Sequence, residues 1–318
     1  MSDVLAVNAA ELTKRYGALT AVNSLSMQVA EGEVYGVLGP NGAGKTTFLR
    51  MLFGLIRPDS GTLEVLGRTW HQHGPRALDG VAGFIESPRF YPYLSGRRNL
   101  ELLAGLDGCG AAEHIDGALD LVDLTGRERD KVGGYSFGMR QRLGVAASLL
   151  RQPRLLVLDE PANGLDPAGI RDMRALVTSL ARSGLTVLLS SHNMDEVEEI
   201  CDNVTIMRTG DVVYHGTIER LRARAPRQAH RLQTSDDQGA LALAGGRPGL
   251  SVTSLDGALH ARGEQAEIDS YVSVLVGAGL ALRSLSLDEA PLEALFFMLT
   301  ESRPEGVPAH LHTTGASA

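Results

Sequence analysis

The feature that most constrains the fold is a repeated order of short apolar runs and helix-period segments. Residues 33–39, EVYGVLG, form an apolar run bounded by glycine, and a Gly-rich turn then leads into TTFLRMLFGL, whose apolar residues have helical spacing. Two more apolar runs lie at 154–160 (RLLVLDE) and 185–192 (LTVLLSSH), with a helix-period segment between them. Buried strands that alternate with helices are typical of a mainly parallel sheet, so we predict an α/β fold.

The β-type pattern disappears between about residues 90 and 150. Three helix-period segments follow one another there, RRNLELLAGL, AAEHIDGALDLV and MRQRLGVAASLL, and they predict an all-helical insertion. Residues 204–216, VTIMRTGDVVYHG, alternate around the turn signal TGD and predict a hairpin that closes the first domain. We therefore expect a first domain at 1–220.

Residues 221–303 predict a small α+β domain. Their patterns read in order as strand, helix, two strands, helix and strand, with an added helix at PLEALFFMLTE. This order resembles a ferredoxin-like split βαβ arrangement. Residues 304–318 are polar and rich in proline and glycine, which predicts a disordered tail.

Composition bounds the class of protein. The chain has 318 residues, 43% of them hydrophobic, which is enough for about two globular domains. A net charge of −8 argues against nucleic acid as a partner, because nonspecific phosphate binding needs a clustered basic face. Cys109 and Cys201 lack metal-ligand spacing and indicate reduced thiols. The N-terminus has no secretory signal pattern, and the apolar run at 271–282 is shorter than the roughly 20 residues of a spanning helix, so a cytoplasmic protein is expected.

The turn after the first apolar run, GPNGAGKT, matches the G-x-x-x-x-G-K-[ST] phosphate loop, and it follows a strand and opens a helix as that motif requires. Backbone N–H groups of such a loop surround a phosphate, Lys45 reaches the β and γ oxygens, and the Thr46 hydroxyl binds Mg²⁺. The predicted nucleotide-binding residues of the loop are Gly39, Pro40, Asn41, Gly42, Ala43, Gly44, Lys45, Thr46 and Thr47.

Two carboxylates end the second apolar run, in LLVLDEP at 155–161. The carboxyl ends of strands in an α/β sheet form the edge where ligands bind. We predict that Asp159 holds Mg²⁺ and that Glu160 is the general base for a water that attacks the γ-phosphate. A solvated acidic turn fits poorly with the apolar run before them. His192 ends the next run, and its imidazole is predicted to contact the γ-phosphate and position the water.

The phosphate loop, YSFGMRQR at 135–142, LDEP, NGLD at 163–166 and SSH, in this order and spacing, resemble an ATP-binding cassette (ABC) ATPase over residues 4 to about 220. The resemblance implies that YSFGMRQR is the signature segment, in which Ser136 and Gly138 bind the γ-phosphate of ATP held by a second cassette. It also implies that Tyr16 stacks on adenine and that Asp166 lies at the interface between cassettes. A core position for Tyr16 stays open as the alternative.

The chain departs from the family pattern in two motifs. Phe137 and Met139 replace usual letters of the signature, and Glu86 stands in the membrane-sensing loop where most relatives have glutamine. A carboxylate at position 86 favours Mg²⁺ and repels phosphate, so Glu86 is predicted as a metal ligand beside Thr46 and Asp159. Both departures, and the C-terminal extension, resemble the exporters of drugs and antimicrobial peptides, of bacitracin, lantibiotic and anthracycline type.

The resemblance implies an ATP-hydrolysing subunit that uses ATP and Mg²⁺ and powers a separate membrane permease. It implies a head-to-tail homodimer, which is peripheral on the inner face of the cell membrane through the permease. A permease-independent soluble ABC ATPase with a regulatory role is the alternative. The motifs HQH at 71–73 and HLH at 310–312 are interpreted as solvated loop histidines, because no carboxylate or cysteine completes either set.

Overall fold

The computed structural model describes residues 5–107, 110–226, 229–255, 257–287 and 291–301. The predictions for Cys109, for HLH at 310–312 and for the tail at 304–318 lie outside these ranges.

The first two thirds of the chain contain ten strands and eight α-helices in the described ranges. The strands are β1 (Leu5–Tyr16), β2 (Leu19–Ala30), β3 (Val34–Leu38), β4 (Ser60–Val65), β5 (Arg68–Thr69), β6 (Val81–Phe84), β7 (Leu155–Asp159), β8 (Thr186–Ser191), β9 (Asn203–Arg208) and β10 (Asp211–Thr217). The helices are α1 (Lys45–Leu52), α2 (Trp70–His73), α3 (Gly96–Asp107), α4 (Ile115–Leu121), α5 (Phe137–Leu149), α6 (Pro167–Arg182), α7 (Met194–Ile200) and α8 (Ile218–Arg222).

A central sheet has the strand order β10-β9-β3-β8-β7-β6, and all its pairs are parallel except the β9–β10 hairpin. The predicted parallel α/β sheet and the predicted hairpin are thus confirmed. Every residue of β3, β7 and β8 is buried, because both faces of the sheet are covered. Along β7, Leu156 and Leu158 pack with the helices of one face, whereas Leu155 and Val157 pack with α1 and the second sheet.

The second sheet is antiparallel, with the order β2-β1-β4-β5, and was not predicted from the sequence. Its β1–β2 pairing shifts register at four places, so apolar residues do not alternate simply along the strands. The sheet covers α1 and the face of the central sheet that carries Val37. It thereby fixes the helix that follows the phosphate loop.

The predicted helical insertion is present as α3, α4 and α5, which pack into one buried cluster around Leu100, Leu119 and Leu143. Its last helix, α5, begins at Phe137. The signature segment therefore lies at the N-terminus of α5.

The last third of the chain has the elements β11 (Ala229–Thr234), α9 (Asp237–Ala244), β12 (Ser251–Leu255), β13 (Ala258–Arg262), α10 (Gln265–Gly277), β14 (Leu282–Leu287) and α11 (Pro291–Thr300). Its four strands form an antiparallel sheet with the order β12-β13-β11-β14. A separate core forms between this sheet and α9 and α10, around Leu232, Leu259 and Tyr271. No helix in the described ranges is long and apolar enough to cross a membrane.

The final helix, α11, packs against the first domain rather than into the core of the C-terminal sheet. Leu292, Leu295 and Phe296 are buried in the large cluster of the first domain. In addition, the Arg208 guanidinium donates to the carbonyl of Leu299 at 3.3 Å. The chain therefore returns to the first domain after completing the small sheet.

Candidate nucleotide site

The phosphate loop runs from Gly39 to Gly44, between the end of β3 and the first residue of α1. Two of its glycines lie against backbone where a side chain has no room. A Cβ at Gly39 would lie 2.4 Å from the Met207 carbonyl oxygen, and one at Gly44 would lie 2.3 Å from that of Ala21. Gly44 also has a φ of 107°, in the left-handed region that favours glycine. Packing therefore requires glycine at both positions, and at Gly44 the backbone conformation requires it as well.

The remaining loop residues differ in exposure. Ala43 is buried, Asn41 and Gly42 are exposed, and Pro40 and Thr47 are intermediate. Lys45 is buried, and its ammonium group donates to the carbonyl oxygens of Gly39 at 2.6 Å and Pro40 at 3.3 Å. The lysine side chain therefore closes back over its own loop.

Thr46 and Asp159 meet across the carboxyl end of the central sheet. The Thr46 hydroxyl donates to Asp159 Oδ2 at 3.1 Å. Asp159 is buried, and its other oxygen accepts from the Ser190 hydroxyl on the neighbouring strand β8. A hydroxyl and a carboxylate oxygen, both fixed, are the kind of ligands that Mg²⁺ prefers. Ser190 was not predicted, although it lies two residues before His192.

Glu160 connects the phosphate loop to His192. One carboxylate oxygen lies 3.1 Å from Lys45 Nζ, and the other lies 2.6 Å from His192 Nδ1. The backbone of Glu160 has a φ of 50°, and its N–H donates to the Ser190 hydroxyl at 3.0 Å. A non-glycine residue in this conformation is held there by its surroundings. The sheet thus brings together Lys45, Glu160 and His192 from three separate segments of sequence.

The signature segment lies apart from these contacts, at the start of α5. Ser136 is exposed and caps α5, since its hydroxyl accepts from the backbone N–H of Met139 at 3.2 Å. A groove beside it is lined by Ser136, Gly138, Leu165 and Asp166. Asp166 caps α6 through the N–H of Gly169 at 3.2 Å. Within the described ranges, no hydrogen bond or ion pair joins this groove to the Lys45 loop.

Phe137 and Met139, which depart from the usual signature, both make packing contacts. Phe137 packs beside Gly164, where a Cβ would lie 3.6 Å from the nearest ring carbon. The Arg140 guanidinium lies 5.7 Å from the centroid of the same ring. Met139 packs partly buried against the core of the first domain. The N-terminus of α5 nevertheless keeps the backbone N–H groups and the helix dipole that favour an anion.

Glu86 has an ion-pair partner that the sequence did not indicate. Its carboxylate accepts from Arg50 Nη2 at 2.8 Å, and its φ is 64°. Arg50 lies one helical turn after Thr46 in α1, so both face the same side of that helix. Glu86 is thereby kept beside α1 in contact with a cation.

Tyr16 is exposed rather than part of the core. Its exposed fraction is 46%, and Lys14 Nζ lies 5.6 Å from the ring centroid. Asp59 holds this segment through the Arg15 N–H at 2.6 Å and through Lys14, and these hydrogen bonds lower the pKa of the Asp59 carboxyl. The alternative of a core aromatic at position 16 is therefore wrong.

The histidine motif at 71–73 lies in the one-turn helix α2 rather than in a loop, and His71 is exposed. No group of three or more potential metal ligands from histidine, cysteine, aspartate and glutamate occurs among the residues that the structure describes.

The fold and the site define a P-loop nucleotide-binding protein: a glycine loop with its lysine and threonine faces two carboxylates at the carboxyl edge of a parallel sheet. The family model "ABC transporter" matches residues 22–163. The bacitracin transport ATP-binding protein of Bacillus licheniformis is 41% identical over 238 residues, which cover 74% of this chain and 78% of that protein. The chain belongs to the ABC transporter family, as an ATP-binding, ATP-hydrolysing subunit.

Other relatives extend this likeness. A daunorubicin resistance ATP-binding protein of Streptomyces coeruleorubidus is 36% identical over 90% of this chain and 93% of its own length, so the likeness extends beyond residue 220. A lantibiotic transport ATP-binding protein of Streptococcus pyogenes is 38% identical over 64% of this chain and 86% of its own. Among solved structures, CbiO1 of Clostridium perfringens, part of an ABC transporter complex, matches with a TM-score of 0.64 and 25% identity, over 70% of this chain and 92% of its own.

Proposed function

We propose that this subunit hydrolyses Mg²⁺-bound ATP at the edge formed by β3, β7 and β8. Lys45 and the backbone of residues 39–47 bind the phosphates, and Glu160 is the general base for the attacking water. His192 positions that water and the γ-phosphate. The observation that carries this proposal is the position of Glu160, whose two oxygens contact Lys45 and His192 at 3.1 and 2.6 Å.

Mg²⁺ fits the residues on the phosphate side of this edge. Thr46 and Asp159 supply a hydroxyl and a carboxylate, and Ser190 orients the carboxylate from behind. When bound, the ion neutralises charge on the phosphate oxygens. Glu86 is proposed as a further metal ligand, and the Arg50 guanidinium would hold its carboxylate near α1.

We also propose a head-to-tail homodimer. Ser136, Gly138 and Asp166 line a groove that makes no polar contact with the Lys45 loop of the same chain within the described ranges. A twofold pair would place the groove of each chain opposite the phosphate loop of the other, with two equivalent composite sites. Ser136 would then bind the γ-phosphate of ATP held by the partner, and Asp166 would lie at the interface. Tyr16 would stack on adenine in its own chain.

The proposed membrane partner is a separate permease. A groove beside the Glu86 loop is lined by Phe53, Pro88, Phe90 and Leu103, and next to it Tyr91 and Tyr93 are 55% and 65% exposed. Exposed aromatic side chains beside a groove of mixed apolar and basic lining suit a protein partner. The subunit would therefore attach to the inner face of the membrane through the permease. Export of a drug or peptide is proposed from the bacitracin, lantibiotic and daunorubicin relatives.

We infer that residues 221–303 form a ferredoxin-like domain after a cassette at 1–220. In support, the four strands are antiparallel in the order second, third, first, fourth of that domain, and α9 and α10 share one core with the sheet. The helix α11 would join this domain to the cassette, because it packs on the cassette core.

The function is tested by purifying the full chain from detergent-solubilised membranes and measuring ATP hydrolysis with and without Mg²⁺. We expect Mg²⁺-dependent hydrolysis and co-purification of an integral-membrane protein with several spanning helices. An active ATPase that never retains a membrane protein, even after chemical crosslinking in cells, would favour the permease-independent regulatory ATPase instead.

A further inference from the structure

The turn that carries His192 is supported from behind by a buried carboxylate. His192 is itself exposed and lies between Ser191, the last residue of β8, and Asn193, the N-cap of α7. Four residues after the histidine, Glu196 is only 5% exposed. A buried carboxylate is costly unless hydrogen bonds satisfy it, so its partners indicate what it does.

The partner of Glu196 is the residue before the histidine. The Ser191 hydroxyl donates to Glu196 Oε2 at 2.6 Å. The same hydroxyl oxygen accepts from the backbone N–H of Asn193 at 3.0 Å. In return, the Asn193 side chain accepts from the backbone N–H of Glu196 at 3.2 Å. These three hydrogen bonds form a closed ring that spans both sides of His192.

This ring differs from an ordinary capping box. In that motif a Glu at the third helical position accepts directly from the N–H of the N-cap residue. Glu196 occupies the third position, but the Ser191 hydroxyl stands between its carboxylate and the N-cap N–H. The ring of hydrogen bonds ties the start of α7 to Ser191 at the end of β8. Ser190, the residue before Ser191, orients Asp159.

Charges around Glu196 come from the neighbouring helix α6 and from the nucleotide site. Arg174 on α6 is the nearby cation, and it forms an ion pair with Glu199 on α7. Glu160 and His192 also act on the carboxyl electrostatically, and burial raises its pKa overall. The side chain of Glu196 therefore lies in the same electrostatic environment as the proposed base.

We propose that Glu196 is a positioning residue for ATP hydrolysis, which acts through Ser191 to hold His192 against Glu160. This role rests on the proposed function of His192 in hydrolysis. Without the ring, the His192 turn would have more backbone freedom, and the 2.6 Å contact between His192 Nδ1 and Glu160 Oε2 would be made less often. Hydrolysis would slow although the phosphate loop, and hence ATP binding, stays unchanged.

The test measures kcat for ATP hydrolysis and the Kd for ATP in the full chain. Glu196→Ala should lower kcat by roughly 10- to 100-fold, and Ser191→Ala should lower it similarly, with the Kd within about twofold of wild type. Glu196→Gln keeps an oxygen that accepts from the Ser191 hydroxyl, so it should stay within about threefold. Asp195→Ala, an exposed acidic residue in the same helical turn, is the matched control and should match wild type.

A double-mutant comparison separates this role from general loss of structure. Once His192 is replaced by alanine, Glu196→Ala should change kcat by less than about twofold, because the residue it positions is gone. A full 10- to 100-fold further loss in that background, or an undiminished kcat in both Glu196→Ala and Ser191→Ala, would overturn the proposal. If His192→Ala alone had wild-type kcat, the role of His192 would fail first, and a slowed Glu196→Ala would then have another cause.

Discussion

The phosphate-loop side and the signature side of the nucleotide site are built differently within one chain. On the phosphate-loop side, Lys45 and Asp159 are buried. The Glu160 carboxylate contacts Lys45 and His192, and the Ser190 hydroxyl bonds both Asp159 and the Glu160 N–H. On the signature side, the Ser136 hydroxyl and the Asp166 carboxylate each cap only their own helix. The first side is preorganised by the fold of one chain, whereas Ser136 of the second side is exposed and contacts only the start of its own helix. This difference supports the proposal that the second side is completed by another molecule.

The largest effect is expected from Lys45→Ala. The ammonium group is the cation of the phosphate loop and lies 3.1 Å from the Glu160 carboxylate, so its removal takes charge stabilisation from the transferred phosphoryl group. Steady-state hydrolysis should fall to background. Turnover above about one tenth of wild type would mean that hydrolysis on the phosphate-loop side does not depend on this charge.

Glu160→Gln should have the next largest effect. The amide cannot accept a proton from water, so kcat should fall by roughly 10²- to 10⁴-fold. The loop glycines and Lys45 are unchanged, so equilibrium ATP binding should stay nearly intact. Turnover within about threefold of wild type would exclude this carboxylate as the general base.

Glu86→Gln, at the exposed edge of the phosphate-loop side, should have a smaller effect than Glu160→Gln. Glu86 is exposed and paired with Arg50, so its contribution to the metal should be modest. We expect ATP binding to be retained, with a several-fold rise in the Mg²⁺ concentration for half-maximal hydrolysis or a loss of coupling to the permease. Arg50→Met, which frees the carboxylate, is the companion variant. Unchanged hydrolysis, metal dependence and transport in Glu86→Gln would make Glu86 only a loop residue.

The smallest effect concerns stability rather than rate. Burial raises the pKa of the Glu196 carboxyl in the folded chain above its value of 4.5 in an unfolded one. The folded state then holds the proton more tightly, so the stabilisation is present at low pH and is lost as pH rises through the folded-state pKa. Relative to Glu196→Gln, wild type should lose stability as the pH rises above 4.5 and through the raised folded-state pKa, measured by urea unfolding. A difference that stays constant with pH would contradict the raised pKa.

The sequence predicted most residues of the phosphate-loop side, but few of the residues and strands that hold them in place. Strand β3, its loop and α1 follow from apolar runs and glycines that are adjacent in sequence. The antiparallel sheet was missed because register shifts in β1 remove the simple alternation that marks a strand. Ser190, Glu196 and Arg50 were missed for another reason. Their roles depend on which strands and helices become neighbours, and Ser190 acts on Asp159 across 31 positions of sequence.

In the proposed head-to-tail dimer, the signature segment of one chain serves the phosphate loop of the other. This arrangement is tested most directly by mixing two inactive proteins, one with Lys45→Ala and one with Ser136→Arg, and measuring ATP hydrolysis by verified mixed dimers. In a head-to-tail pair, one composite site collects both defects and the other has an intact loop opposite an intact signature. Verified mixed dimers should therefore show roughly half of wild-type activity, because one of their two sites is sound. An unseparated random mixture, in which about half of the dimers are mixed, should show roughly a quarter. If each chain completed its own site, every site would carry one defect, so mixed dimers without recovered hydrolysis would contradict the proposed trans arrangement.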